Sequence, residues 1–187
     1  MNNKQEAFRV NSLHYFLLGP FTYGLAAMVV FRLGEPWPAY IALPGAFLTQ
    51  AVGYACAHAW MHKPNNYWIH KYHHTYNEQS FVRPIAASAV TITEFFVAYM
   101  LPITSGIVLF RPTMDHVKWV VITQSFCHLL IHTPPRCLSM DMWPNFLVTN
   151  LKHFHHHEKN VTAHYSAPIL DLDGVLGLKW GKGVHDK

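Results

Sequence analysis

Long apolar runs alternate with short polar stretches along this chain. The runs extend from Leu13 to Phe31, Ala39 to Ala59, Pro84 to Phe110 and Val117 to His132. The first is broken only by His14, Gly19, Pro20, Thr22, Tyr23 and Gly24. An α-helix needs about 20 mostly apolar residues to cross a bilayer core. The pattern therefore predicts helices over about 13–33, 39–61, 84–110 and 117–132. A turn at Arg32–Pro38, a polar insert at 62–83 and a turn at 111–116 separate them. A polar tail, 133–187, follows. Pro102 predicts a kink in the third helix. The first run is longer than the apolar stretch of a signal peptide and leads into a Pro-rich turn, so it reads as a retained helix. The fold class expected is all-α: a four-helix integral membrane protein with a cytosolic histidine-rich cap, built as a single domain over 1–187.

Composition supports that reading. Of 187 residues, 51% are hydrophobic and 13% charged, against about 25% charged in soluble domains. The net charge of +4 contains no dense basic block, which argues against a nucleic-acid partner. Lysine and arginine also orient the chain. With the N-terminus cytosolic, eleven lie on that side and three (Arg32, Arg111 and Lys118) on the other. Counting only the N-terminus and the short loops leaves five against three, still the positive-inside sense. Three cysteines, Cys56, Cys127 and Cys137, show no paired spacing, so no disulfide framework is expected. Those within the apolar runs read as small buried hydrophobes.

Fifteen histidines are the chemical anomaly. Ten fall into four clusters. His58 and His62 end the second predicted helix, and His70, His73 and His74 lie in the insert. His128 and His132 end the fourth helix, and His153, His156 and His157 lie in the tail. The spacings are HxxxH, HxxHH, HxxxH and HxxHH. Residues i, i+3 and i+4 share a helix face, so each cluster presents its imidazoles in one direction. The predicted topology puts all four clusters on one side of the membrane. His155 projects off the shared face, and His14, His116 and His185 stand alone. His164 follows the last cluster closely enough to support a ligand. Glu94 is the one acidic group predicted at membrane depth. It either pairs with a histidine or hydroxyl across helices or orients a ligating imidazole.

An all-imidazole set is compatible with iron, zinc, copper or nickel. Ten ligands exceed the needs of one ion and suit two. Two irons activate dioxygen, whereas zinc has no redox chemistry.

The clusters resemble those of the fatty acid hydroxylase/sterol desaturase superfamily of membrane di-iron oxidases. The stretch His58-Ala-Trp-Met-His62-Lys-Pro, then Trp68-Ile-His70-Lys-Tyr-His73-His74, is similar to the sterol desaturase and sterol methyl oxidase branch. The final His153-Phe-His-His156-His157, with Asn160 and Tyr165, also resembles that branch. The likeness covers about residues 55–177. It departs at Leu172-Asp173-Gly-Val-Leu176-Gly177, where Leu172 stands in place of a tryptophan common in the family. Small carotene hydroxylases are of similar size but space their first and third clusters differently.

The resemblance implies two iron ions held by the ten clustered histidines, O2 as co-substrate and an external electron donor of the cytochrome b5 or ferredoxin-plus-reductase kind. It also implies a lipid-like substrate: a sterol, fatty acyl chain or terpenoid that is hydroxylated or desaturated at an unactivated C–H bond. Neither a His-Pro-Gly-Gly haem motif nor a GxGxxG nucleotide fingerprint occurs in the sequence. The expected location is the endoplasmic reticulum in a eukaryote or the inner membrane in a bacterium. The competing reading is a histidine-rich membrane metal transporter or electron-transfer protein, which would string its ligands along a path through the bilayer.

Overall fold

A computed structural model describes residues 19–75, 89–158, 164–166 and 168–178. They form six helices: α1 (Gly19–Arg32), α2 (Ala39–Met61), α3 (Ile92–Phe110), α4 (Met114–Ile131), α5 (Asn150–Glu158) and α6 (Leu172–Leu176). Among the described residues the only extended pairing is an isolated bridge between Leu147 and Leu170.

Helix boundaries follow local chemistry. α4 starts three residues earlier than its apolar run, at Met114, because Thr113 caps it. The Thr113 side chain accepts from the His116 N–H, and His116 Nδ1 accepts from the Thr113 N–H, each at 3.3 Å. This reciprocal pair satisfies two otherwise orphaned donors and gives the isolated His116 a structural task. α3 starts later than the expected residue 84. Ala89, Val90 and Thr91 are not helical. The Thr91 hydroxyl accepts from the Glu94 N–H at 3.1 Å and donates to the Ile69 carbonyl at 2.9 Å, so the helix begins where that cap permits. Residues 84–88, like 13–18 of the first predicted helix, lie outside the described residues. Near Pro102, where a kink is expected, α3 has a π-helical stretch, Phe95–Met100. Proline has no N–H to offer the preceding turn, and a wide turn accommodates that loss.

α2 and α3 pack through small residues. A Cβ on Gly53 would stand 2.8 Å from Pro102 Cβ, and one on Gly106 would stand 3.3 Å from the Ala46 backbone. Such close approach is typical of helices joined without a hydrophobic driving force. α2 and α4 run in the same direction. Their starts are tied together, since the Trp37 N–H donates to the Arg111 carbonyl at 3.1 Å. Their far ends carry His62 and His132 into two adjoining histidine groups.

The bundle holds polar side chains inside, among its buried apolar ones, and large apolar side chains outside. Gln50, Tyr54, His58, Glu94, Gln124 and His128 are buried, while Leu48, Val52, Leu101, Leu109, Ile122 and Phe126 are exposed. A soluble core has the opposite arrangement. Among the described residues one helix, α3, is long and apolar enough by itself to cross a membrane. α2 has the length, at 23 residues, but its polar and small positions dilute its hydropathy. The cysteines are free. Cys56 and Cys137 are exposed and Cys127 is half-buried, so Cys56 is not the buried hydrophobe expected: it sits on the outward face of α2, which is itself apolar.

The segment after α4 folds back as a cap. Asn150 Nδ2 donates to the Thr133 and Leu138 carbonyls at 2.9 and 2.6 Å, anchoring α5 at the end of α4. Lys152 Nζ meets Asp171 Oδ2 at 2.6 Å. The Ser166 N–H donates to Asp173 and the Asp173 N–H to Ser166, at 2.8 and 3.0 Å. Leu172, the departure from the family pattern, starts the short α6 within this braced segment.

Candidate metal centre

The helical spacing read from the sequence places each histidine pair or triplet at one end of the bundle. α2 and its C-terminus bring His58 and His62, two 3-10 turns of the insert bring His70, His73 and His74, the end of α4 brings His132, and α5 brings His153, His156 and His157. They form two groups. His58, His62, His70, His74 and His156 make the first, and His73, His132, His153 and His157 the second. Within each group the donor nitrogens lie within 4.8 Å of one another. The groups adjoin, with the His74 and His157 rings stacked at 4.5 Å.

The second ring nitrogens determine what these groups can hold. His58 Nδ1–H donates to the Tyr165 carbonyl at 2.8 Å, and His70 Nδ1–H to Glu94 Oε1 at 2.7 Å. In neutral imidazoles those bonds leave both Nε2 atoms as bare lone pairs, yet the two Nε2 atoms are 2.8 Å apart. His58 Nε2 also faces His156 Nε2 at 3.1 Å and His62 Nε2 at 3.3 Å. The second group repeats the conflict. His73 Nδ1–H donates to the Ala89 carbonyl at 3.1 Å and His132 Nδ1–H to the His128 carbonyl at 2.7 Å. Their Nε2 atoms stand 3.2 Å apart. Converging lone pairs repel unless a cation lies among them. Nitrogens at about 2.1 Å from one ion are about 3.0 Å apart at right angles and about 3.4 Å apart in a tetrahedron, which matches the spacing here. The donor set therefore fits two metal ions.

Burial keeps the imidazoles in the neutral, metal-binding form. It holds His70, His74, His153 and His157 well below the usual histidine range, and neighbouring imidazoles push the same way. His73 is brought from 6.5 to about 4 by burial, with its bond to Ala89 working in the opposite direction. Metal ligation requires deprotonated nitrogens, so the site is ready for it near neutrality.

The structure brings nine of the ten expected ligands into the two groups. His128 is in neither. It is buried, its ring is 4.4 Å from that of His132, and its Nδ1 is 3.0 Å from the Tyr99 hydroxyl. His155 is exposed on α5. His164 is half-buried and in neither group, with a left-handed backbone at φ 60. It immediately precedes Tyr165, whose carbonyl holds His58. His14 and His185 lie outside the described residues. Glu94 satisfies both sequence readings, since its pairing with His70 is also what orients that ring. The supporting carbonyls of Ala89, Tyr165 and His128 had no signal in the sequence, because every residue carries the same carbonyl. Tyr99 could have been noticed as a hydroxyl within the apolar third run.

A family model for fatty acid hydroxylases matches residues 42–177. The chain belongs to the fatty acid hydroxylase family. That span includes all ten clustered histidines and Glu94, and it ends at Gly177, the C-cap of α6. Membership places this fatty acid hydroxylase-family chain in the wider fatty acid hydroxylase/sterol desaturase superfamily without selecting the sterol branch. It makes a membrane-associated, lipid-modifying oxidoreductase the coarse function. No curated protein and no solved structure gives a significant match to the chain.

Proposed function

We propose that the chain is a non-haem di-iron membrane oxidase, one domain over 1–187, that hydroxylates or desaturates a lipid-like substrate. The observation that carries this reading is the pair of lone-pair confrontations, His58 against His70 and His73 against His132, inside two adjoining all-histidine groups. In it, His58, His62, His70, His74 and His156 hold one iron. His73, His132, His153 and His157 hold the other, with His128 beside His132 as the tenth nitrogen of the set. Two irons, when bound and reduced, supply O2 activation and oxidation of an unactivated C–H bond. Glu94 and the Tyr165, Ala89 and His128 carbonyls hold protons on the Nδ1 atoms, so each Nε2 faces the centre as an acceptor. Histidine is preferred over cysteine or carboxylate here because neutral imidazole adds no charge to a site beside hydrocarbon.

Four passes with the apolar faces of α1 to α4 toward lipid return the chain to its starting side, and the lysine and arginine bias makes that side cytosolic. The endoplasmic reticulum or a bacterial inner membrane is the corresponding location. Electrons come from a separate carrier, cytochrome b5-like or ferredoxin-like with its reductase. The sterol desaturase branch is the favoured relative on the strength of the His58–His74 motif. The histidines gather at one end of the bundle rather than along it, so a transport pathway is not favoured. The test is a lipid profile under 18O2 of cells with and without the protein. The expected result is an 18O-labelled alcohol or a new alkene that vanishes in His156→Ala. Iron-loaded protein with a competent electron donor that leaves every lipid class unchanged would overturn the reading.

A further inference from the structure

Beneath the metal centre the interior of the bundle contains two carboxamides that the histidine chemistry does not use. Gln50 of α2 is fully buried and Gln124 of α4 is 4% exposed. Both the Oε1 and Nε2 atoms of each lack a hydrogen-bond partner among the described residues. Leaving a buried donor or acceptor unmade is costly, and four such atoms from two residues at one level of the bundle call for an occupant.

Their positions correspond. Gln50 precedes His58 by eight residues, and Gln124 precedes His132 by eight. α2 and α4 run in the same direction, tied at their starts by the Trp37–Arg111 bond and meeting at their ends in the adjoining histidine groups. At 1.5 Å per residue, both amides lie at one level, about 12 Å along the helix axes from the ligating histidines. We infer that Gln50 and Gln124 form the seat for a neutral hydroxyl at the far end of the substrate, with the oxidised carbon about 12 Å from that hydroxyl. This deepens the oxidase reading and rests on it.

The choice of hydroxyl follows from the donor inventory. Two carboxamides offer donors and acceptors in equal measure, and a hydroxyl is the smallest group that both gives and takes a hydrogen bond. A carboxylate would leave both amide oxygens unanswered and would bring charge into the apolar interior. The cations nearest the lipid-facing helices, Arg32, Arg111 and Lys118, lie at the opposite end from the histidines or outside the bundle core. A hydrocarbon end would leave all four amide atoms unmade. Sites that hydrogen-bond a substrate hydroxyl reject analogues lacking it far more strongly than apolar pockets reject an extra methylene.

Zinc-loaded protein provides the test, because zinc supports binding without oxidation. In detergent micelles, the affinity of tritiated hexadecanol is compared with that of its methyl ether, and that of cholesterol with its methyl ether. The ethers keep the shape and lose the donor. The expected result is a preference of about tenfold or more for the alcohol in one of the pairs. That preference should vanish in Q50L/Q124L and shrink in Q124M, which serves as the reporter if the double variant fails to fold. Unliganded Q50L/Q124L should also melt at a higher temperature than wild type, since apolar groups replace unanswered amides. Equal affinity for alcohol and ether in both pairs overturns the proposal, as does a preference that persists in Q50L/Q124L or is undiminished in Q124M. Failure of this binding test leaves the 18O2 result untouched, and failure of oxidation leaves the binding preference untouched, so the two readings fail separately.

Discussion

Removing the carboxylate of Glu94 should loosen one metal ion and spare the other. The Glu94 Oε1 to His70 Nδ1 bond is 2.7 Å long with both side chains fully buried, so water cannot replace the lost acceptor. In Glu94→Ala the His70 Nδ1–H has nothing to donate to, an expense of about 1–3 kcal/mol for an unmade buried bond. The ring regains freedom to turn or change tautomer, and either motion removes the Nε2 lone pair from the first group. Loss of such an orienting partner lowers metal affinity about 10–100-fold, which is about 1.4–2.7 kcal/mol. The two figures agree. Glu94→Gln keeps an acceptor oxygen for the His70 Nδ1–H. Its loss should therefore be the smaller. The assay is metal content during chelator competition, read as two phases. The ion held by His58, His62, His70, His74 and His156 should leave first in Glu94→Ala, while the ion held by His73, His132, His153 and His157 leaves at the wild-type rate. Wild-type retention of both ions, or equal loss of both, would refute the reasoning.

Further outcomes follow from the same geometry. His156→Ala and His73→Ala should each bind about one ion fewer by elemental analysis, because they belong to different groups, and each should abolish O2-dependent oxidation; full metal content in either contradicts the grouping. Metal-free protein should lose stability on acidification. The folded pKa of His73 is below its unfolded value, so its contribution is complete above pH 6.5 and is lost as pH falls toward about 4. At 1.36 kcal/mol per unit, about 2 kcal/mol of that is lost by pH 5, and urea unfolding at pH 7.5 and pH 5 checks it, with a flat profile counting against it. Gly53→Ala should destabilise by about 1–2 kcal/mol, since overpacking against a rigid proline ring outweighs the helical gain over glycine. The new Cβ would stand 2.8 Å from Pro102 Cβ. A melting temperature at or above wild type would show that α2 and α3 are not so close.

The chemistry of the centre was legible in the sequence because helical periodicity is a local property. HxxxH and HxxHH spacings put imidazoles on one face whatever the rest of the chain does, and the apolar runs predicted α2 over the limits the structure gives it. Caps moved the other boundaries: Thr91 delays α3 and Thr113 advances α4, each through a single hydroxyl. The partition of the histidines into groups of five and four was not legible. His73 and His74 are adjacent in the chain yet serve different groups, because a 3-10 turn sends neighbouring side chains apart and only the packing of α5 against α4 decides which partners each meets. The same holds for His128, which opens an HxxxH pair as His58 does but whose ring lies against Tyr99. It holds as well for Gln50 and Gln124, which are ordinary polar residues in the sequence. Their common level exists only because α2 and α4 start together, run together and end together, and that relation between distant segments is a property of the folded bundle alone.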